Sequence, residues 1–220
     1  MNESQAREEI CRVGASLFAR GYVHATAGNI SVRLDDGFLI TPTDACLGFL
    51  DPAQIAKVDL QGRQVSGARA SKTLLLHRGI YEAAGRHDAD TRCVIHTHST
   101  HCVALSLRAR GPELLPAITP YFVMKVGHVP LLAYTRPGAP EAVEAVRQAI
   151  ETYAANQRAI RAVMLARLGP NVWHDTPAAA MAVLEELEET ARLVLLAGDT
   201  VEPLTETQIH ALRQAFGARW

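Results

Sequence analysis

The stretch of sequence that decides the fold is Ile30-Ser31-Val32-Arg33-Leu34-Asp35-Asp36-Gly37-Phe38-Leu39-Ile40. An Asp-Gly pair between two strand-like runs is a strong local signal for a β-hairpin. A second and weaker hairpin is predicted further along, where Val58-Asp59-Leu60 and Arg63-Gln64-Val65 flank Gln61-Gly62. Because hairpins join neighbouring strands that run in opposite directions, the two together predict a largely antiparallel sheet.

Helical periodicity dominates the rest of the chain. Apolar residues at helical spacing predict helices at 4–19, 73–84, 100–107, 140–153, 178–196 and 205–216. Ser4 is the candidate cap of the first helix, and Thr205 with Gln208 has capping-box spacing at the start of the last. Further strands are predicted at 93–97, 129–132 and 162–165, the last closed by a Gly169-Pro170 turn. Hairpins mixed with helices indicate an α+β fold or a three-layer fold around an antiparallel sheet.

The composition indicates one globular domain over 1–220. With 220 residues, 48% of them hydrophobic, the chain can bury one sizeable core. The formal net charge is -1 without any basic run, which argues against a nucleic-acid or membrane-surface partner. Segment 1–7 lacks the apolar core of a signal peptide, no apolar run reaches spanning length, and the four cysteines have no paired spacing. We therefore expect a cytoplasmic protein with reduced thiols.

Two histidines stand at the end of the predicted strand 93–97. His96 and His98 are two residues apart, so in extended backbone their imidazoles point to the same face. Such a pair can hold one divalent metal ion. From the spacing alone, histidines bonded to backbone carbonyls are an equally good interpretation.

Three polar segments have features suited to an anion. Thr26 and Asn29 flank small residues after a helix, Thr43 follows a strand, and Ser71-Lys72 opens a helix whose free N–H groups favour negative charge. Each segment alone is more simply an ordinary polar loop or a helix cap. Three in one chain predict a phosphate or carboxylate held near the metal.

These motifs, in this order, resemble the class II aldolase/adducin head family, which includes sugar-phosphate aldolases and 4-epimerases. The resemblance covers about 4–212 and rests on the segments 26–31, 40–43, 71–77, 95–99, 127–130 and 169–170. Within the family, the segments 47–52, 119–121 and 184–191 most resemble the 3-oxo-tetronate 4-phosphate decarboxylases.

The resemblance implies a three-layer α/β/α fold with a mainly antiparallel central sheet, assembled as a homotetramer with active sites at subunit interfaces. It implies a divalent metal bound by His96 and His98, and a catalytic proton donor at Tyr121. Zinc is the expected metal, although manganese, cobalt and iron also accept imidazole. The positions that match the family's phosphate-binding residues are Thr26, Asn29, Thr43, Ser71 and Lys72.

The chain departs from the family pattern at three positions. Thr73 stands where the family has a catalytic Glu, Leu168 where it has a third metal histidine, and Asp44 where it has Gly beside the phosphate loop. His128 is therefore our candidate for the third metal ligand. Asp44 would repel a phosphate, or would bond a substrate hydroxyl or Lys72.

The missing carboxylate bears on the reaction. Loss of a general base costs an aldolase roughly two to four orders of magnitude in rate. Decarboxylation of a β-keto acid abstracts no carbon-bound proton, so it tolerates Thr73 better. The predicted function is metal-dependent decarboxylation of a phosphorylated sugar acid, 3-oxo-tetronate 4-phosphate, to dihydroxyacetone phosphate and carbon dioxide through a metal-stabilised enediolate. The alternatives are a sugar-phosphate aldolase or 4-epimerase, and a metal-free, adducin-like assembly module.

Overall fold

The two predicted hairpins form and lie side by side in one sheet. The computed structural model describes residues 1–108, 111–198 and 201–220. Its strands are β1 (Asn29–Leu34), β2 (Gly37–Ile40), β3 (Ala56–Asp59), β4 (Gln64–Ser66), β5 (Cys93–His96), β6 (Leu131–Leu132), β7 (Ala162–Leu165) and β8 (Gly169–His174). Its helices are α1 (Glu3–Ala19), α2 (Leu74–Ala84), α3 (Thr100–Arg108), α4 (Pro140–Ala155), α5 (Pro177–Ala197) and α6 (Glu206–Phe216).

The eight strands of the described chain are ordered β4-β3-β2-β1-β5-β8-β7-β6. Every neighbouring pair is antiparallel except β6 with β7, which is parallel. The sheet therefore places β5, the strand that carries the histidine pair, between β1 and β8 at its centre.

Helices cover both faces of the sheet. Residues of α1, α3 and α5 share a core cluster with one face, contributed by alternate residues such as Ile30, Ile95 and Val172. On the other face, α2 and α4 pack over alternate residues that include Val94 and Trp173. The prediction of a three-layer fold with a mainly antiparallel sheet is confirmed.

Helix starts follow local hydrogen bonding. The last helix is capped as predicted, since the Gln208 N–H donates to the Thr205 hydroxyl and the Gln208 side chain bonds the Thr205 N–H. The cap of α1 is Asn2 rather than Ser4, because a capping box between Asn2 and Gln5 starts the helix one residue earlier.

Strand β8 was not predicted. Pro170 lacks an N–H group and disfavours a central strand, so Gly169-Pro170 had indicated only a turn. In the structure β8 begins there, because Gly169 has φ +148° and an added Cβ would lie 1.9 Å from the Thr97 carbonyl oxygen. The absence of a side chain lets β8 approach the end of β5 closely. Among the described residues, none of the helices has the length and apolar composition needed to cross a bilayer.

Candidate active site

A cavity of about 800 Å³ opens beside the end of β5. Its walls come from the loop before β1, the loop after β2, the start of α2 and the segment before α4. Among the lining residues are the predicted site residues Thr26, Asn29, Thr43, Ser71, Lys72, His96 and His98. Polar groups separated by as many as 72 positions in the sequence therefore surround one space.

The imidazoles of His96 and His98 are close together. Their ring centroids are 5.1 Å apart and their planes are inclined at 67°. Two imidazoles on one tetrahedral metal ion have centroids about 5 Å apart, given metal–nitrogen bonds of about 2 Å. The Nδ1–H of His96 donates to the Pro170 carbonyl oxygen at 2.9 Å, which leaves its Nε2 as the nitrogen with a free lone pair. The pair therefore fits a metal ion geometrically.

Burial keeps these rings neutral. Burial, with a smaller contribution from the neighbouring His98, lowers the pKa of His96 to about 4. Burial also lowers the pKa of His98, with a smaller contribution from His24, whose ring centroid is 6.5 Å away. Neutral imidazole is the form that binds a metal, so both side chains are available as ligands at neutral pH.

The opening of α2 offers donors to an anion. The exposed Lys72 has no ion pair or side-chain hydrogen bond within the described residues. The neighbouring Ser71 hydroxyl lies 2.8 Å from that of Thr73 and accepts the Thr73 N–H at 3.4 Å, while the N-cap residue Thr73 makes no side-chain capping bond. A free ammonium group beside helix N–H groups suits a phosphate.

Asp44 is unfavourable for binding a phosphate in this cavity. It lines the same cavity and its backbone has φ +57°, in the left-handed region that most side chains avoid. Its carboxylate is exposed and makes no ion pair within the part of the chain that the structure describes. It therefore brings a negative charge to the loop that also carries Thr43.

His128 and Tyr121 do not lie with the other candidates. His128 is buried, its Nδ1 is 2.8 Å from a Glu113 carboxylate oxygen, and its ring stacks on Trp220 at a centroid distance of 4.2 Å. His128 does not line the cavity with the histidine pair, because its ring is held by Glu113 and Trp220 instead. Tyr121 is 61% exposed and is not among the residues that line the cavity.

Within residues 1–108, 111–198 and 201–220, no group of three or more His, Cys, Asp or Glu side chains is arranged to hold a metal ion. His101, three residues after His98, is bonded instead to Glu188 of α5, which also accepts the N–H groups of His101 and Cys102. Among the described residues of the same chain, a third ligand for the pair would therefore have to be of another residue type.

Sequence reasoning missed several lining residues. Arg136 and its neighbours Thr135, Pro137 and Gly138 form the cavity wall before α4, and Arg147 follows within α4. Pro137-Gly138 predicts a turn, but no local pattern indicates that it faces the loops around Thr26 and Thr43. That juxtaposition depends on the packing of α4 against α2.

The chain matches known proteins over nearly its full length. Residues 8–195 match the family model of the class II aldolase and adducin N-terminal domain, so the chain belongs to that family. It is 52% identical to a 3-oxo-tetronate 4-phosphate decarboxylase of Cupriavidus necator over 99% of both chains, and 39% identical to one of Escherichia coli over 96% of both.

Solved structures agree. A crystal structure of YgbL from Escherichia coli superposes with a TM-score of 0.85 at 38% identity, covering 96% of this chain and 99% of that one. L-fuculose-1-phosphate aldolase from Thermus thermophilus superposes with a TM-score of 0.73 at 30% identity, covering 87% and 93%. The family prediction is confirmed, and so is the prediction of a carbon–carbon lyase of the carboxy-lyase class.

Proposed function

We propose that this protein is a divalent-metal-dependent decarboxylase that converts 3-oxo-tetronate 4-phosphate to dihydroxyacetone phosphate and carbon dioxide. The observation that carries the proposal is the shared cavity, which is lined by the imidazoles of His96 and His98 and by Lys72, a side chain without an ion pair among the described residues. The relatives named for this reaction support the same substrate.

In the proposed reaction the bond between the carboxylate carbon and the adjacent carbon breaks. Carbon dioxide leaves, and the electron pair of the broken bond moves toward the neighbouring ketone to give an enediolate. One proton is then added to the carbon that carried the carboxylate. A divalent metal held by His96 and His98 would supply Lewis-acid stabilisation of the negative charge on oxygen.

The chain's other residues would bind and orient the substrate. We assign the phosphate to Lys72, Ser71 and Thr43, with Thr26 and Asn29 on the opposite loop. Fixing the phosphate holds the ketone near the histidine pair, which lowers the entropic cost of reaching the reactive geometry. Thr73 has no carboxylate, and this reaction requires none for the bond-breaking step.

Tyr121 would deliver the proton in an oligomer. Because its hydroxyl-bearing side chain is exposed and lies outside its own cavity, we propose that it enters the cavity of a neighbouring subunit in a homotetramer. A phenol hydroxyl can serve as a general acid toward a carbanion-like centre.

The test is to incubate freshly prepared substrate with the protein and to measure dihydroxyacetone phosphate and carbon dioxide together. Since β-keto acids decarboxylate spontaneously, His96→Ala and a protein-free sample set the background. We expect equal amounts of both products, loss of activity with a chelator and recovery on adding metal. Turnover that persists in metal-stripped protein and in His96→Ala would contradict the metal-dependent mechanism.

Aldol chemistry is the second candidate, because relatives named L-fuculose phosphate aldolase match part of the chain, one of them at 38% identity over 55% of it. Thr73 offers no base for enolisation, so we expect no condensation of dihydroxyacetone phosphate with an aldehyde. If the folded protein bound no metal and catalysed neither reaction, the adducin-like assembly module would be favoured instead.

A further inference from the structure

The centre of the sheet contains an amide that no hydrogen bond explains. Asn171 of β8 is fully buried, and neither its Oδ1 nor its Nδ2 has a hydrogen-bond partner among the described residues. A buried, unpaired amide is costly, and buried polar side chains in proteins nearly always have a partner. This side chain therefore points to a ligand.

The register places that amide beside His96. Asn171 pairs with His96 across β5 and β8, and residues directly opposite each other in antiparallel strands share a face. The Thr97 N–H donates to the Pro170 carbonyl oxygen, so the next pair, His96 with Asn171, is of the non-hydrogen-bonded type. Pairs of that type approach most closely, with Cα atoms about 4.5 Å apart.

Asn29, on the other side of His96, is placed differently. Across β1 and β5 the Arg33 N–H donates to the Arg92 carbonyl oxygen, so these two residues form a hydrogen-bonded pair. Pair types alternate along antiparallel strands, so Asn29 and His96, four residues further along each strand, are also a hydrogen-bonded pair. Pairs of that type have Cα atoms about 5.5 Å apart. The Oδ1 of Asn29 likewise has no hydrogen-bond partner among the described residues, but Asn29 lines the cavity and Asn171 does not. The closer and more deeply buried amide is Asn171.

We propose that the side-chain oxygen of Asn171 is the third protein ligand of the metal ion bound by His96 and His98. The inference rests on the proposed function in that it requires a metal at the histidine pair. Leu168 has no donor atom, and the Thr73 hydroxyl is within hydrogen-bond distance of the Ser71 hydroxyl. An amide oxygen on the residue paired with His96 across β5 and β8 supplies the donor atom that these residues lack.

The donor set has a consequence for metal choice. Carbonyl oxygens suit harder cations such as Mn²⁺ and Mg²⁺, whereas imidazole suits zinc, copper, iron and nickel. Two imidazoles and one amide oxygen would therefore bind Mn²⁺ relatively better than three imidazoles do. Replacing the amide by a carboxylate, in Asn171→Asp, keeps the oxygen and adds negative charge.

The experiment is calorimetric titration of Mn²⁺, Zn²⁺ and Co²⁺ into metal-stripped full-length protein, with the visible spectrum of the Co²⁺ form as a second readout. We expect one site per chain, affinity lowered about tenfold or more in Asn171→Val, and affinity kept or raised in Asn171→Asp. The Co²⁺ spectrum should change in Asn171→Val. In Asn156→Ala, a control at an exposed amide outside the cavity, Mn²⁺ affinity should stay within about twofold.

Folding is checked separately. Asn171→Val removes two unpaired buried polar atoms, so the melting temperature of the metal-free protein should rise, and weaker metal binding cannot then be attributed to unfolding. Unchanged metal affinity and an unchanged Co²⁺ spectrum in Asn171→Val would overturn the inference while leaving the proposed function intact. A wild-type protein that binds none of the three metals would instead overturn the proposed function.

Discussion

The Nδ1–H of His96 donates to the carbonyl oxygen of Pro170 at 2.9 Å, so a strand that begins with a glycine and a proline orients the ring of a proposed metal ligand. The bond selects the tautomer in which Nε2 carries the lone pair. It requires the close approach of β8 to β5 at Gly169. Substituting Gly169 would therefore disturb the histidine pair without removing any donor atom.

Lys72→Met should raise KM for the phosphorylated substrate about 10- to 100-fold, because one charge-assisted hydrogen bond to phosphate contributes about 1.5–3 kcal/mol. The kcat should change much less, since Lys72 is proposed to bind the phosphate in the ground state and the transition state alike. Steady-state kinetics measures both. Arg63→Met, which removes an exposed cation outside the cavity, is the control and should leave KM unchanged.

Asp44→Gly should bind inorganic phosphate several-fold more tightly and should raise the free energy of unfolding by about 1 kcal/mol, since Gly relieves the left-handed backbone. Asp44→Asn separates the two effects, because it removes the charge and keeps a side chain. We expect tighter phosphate binding but a smaller gain in stability. Calorimetry and urea unfolding give the two quantities, and weaker phosphate binding in both variants would show that Asp44 assists the anion.

Tyr121→Phe should lower kcat by about 100-fold with little change in KM, as expected for loss of a general acid. The control is Tyr134→Phe, because Tyr134 is equally exposed at 61%. Mixing Tyr121→Phe with His96→Ala provides the oligomer test. Partial recovery of activity in the mixed oligomers is expected if Tyr121 serves a neighbouring subunit, and no recovery would argue that each subunit uses its own tyrosine.

Stability should fall at acid pH through His77. Burial lowers the pKa of this fully buried ring to about 3 from an ordinary 6.5. Between these values the unfolded chain binds a proton that the folded chain does not, so the free energy of unfolding falls as the pH drops from 6.5 toward 3. By pH 5 the loss from His77 should be about 2 kcal/mol.

Urea unfolding at pH 7 and pH 5 measures that loss. His77→Gln, which can still bond the Ser31 hydroxyl but does not titrate, should reduce the difference between the two pH values. His210→Gln alters an exposed ring and should leave it unchanged. An equal pH dependence in wild type and His77→Gln would contradict the assignment.

His128→Ala should lower the free energy of unfolding by about 2 kcal/mol and leave metal content unchanged. The substitution removes the stacking on Trp220 and one bond to the partly buried Glu113. Trp220→Ala should lower stability through the same contact. Elemental analysis showing that His128→Ala loses its metal would restore His128 as a ligand.

The sequence predicted the elements whose signals are local. Asp36-Gly37 lies at the turn between β1 and β2, and Thr205 caps α6. The polar segments near Thr26 and Ser71 form loops that line the cavity. Each of these outcomes depends on a few consecutive residues, so each could be inferred from one window of sequence.

Outcomes that depend on tertiary packing could not be inferred in this way. Gly169-Pro170 predicts a turn, so the sequence did not indicate strand β8. The close contact that allows a strand there is with Thr97, which is 72 residues away in the sequence. The position of His128 depends on the C-terminal Trp220, and Arg136 faces the cavity only because α4 packs on α2.

The three adjacent strands β1, β5 and β8 also determine when during synthesis the site can form. Asn29, His96 and Asn171 come from widely separated parts of the chain, and β8 is among the last strands to be synthesised. Contacts of such long sequence separation form late and slow folding. During synthesis, a ribosome-bound chain that has not yet emerged beyond β7 would lack the carbonyl that orients His96, so the histidine pair would be oriented for a metal only after β8 joins the sheet.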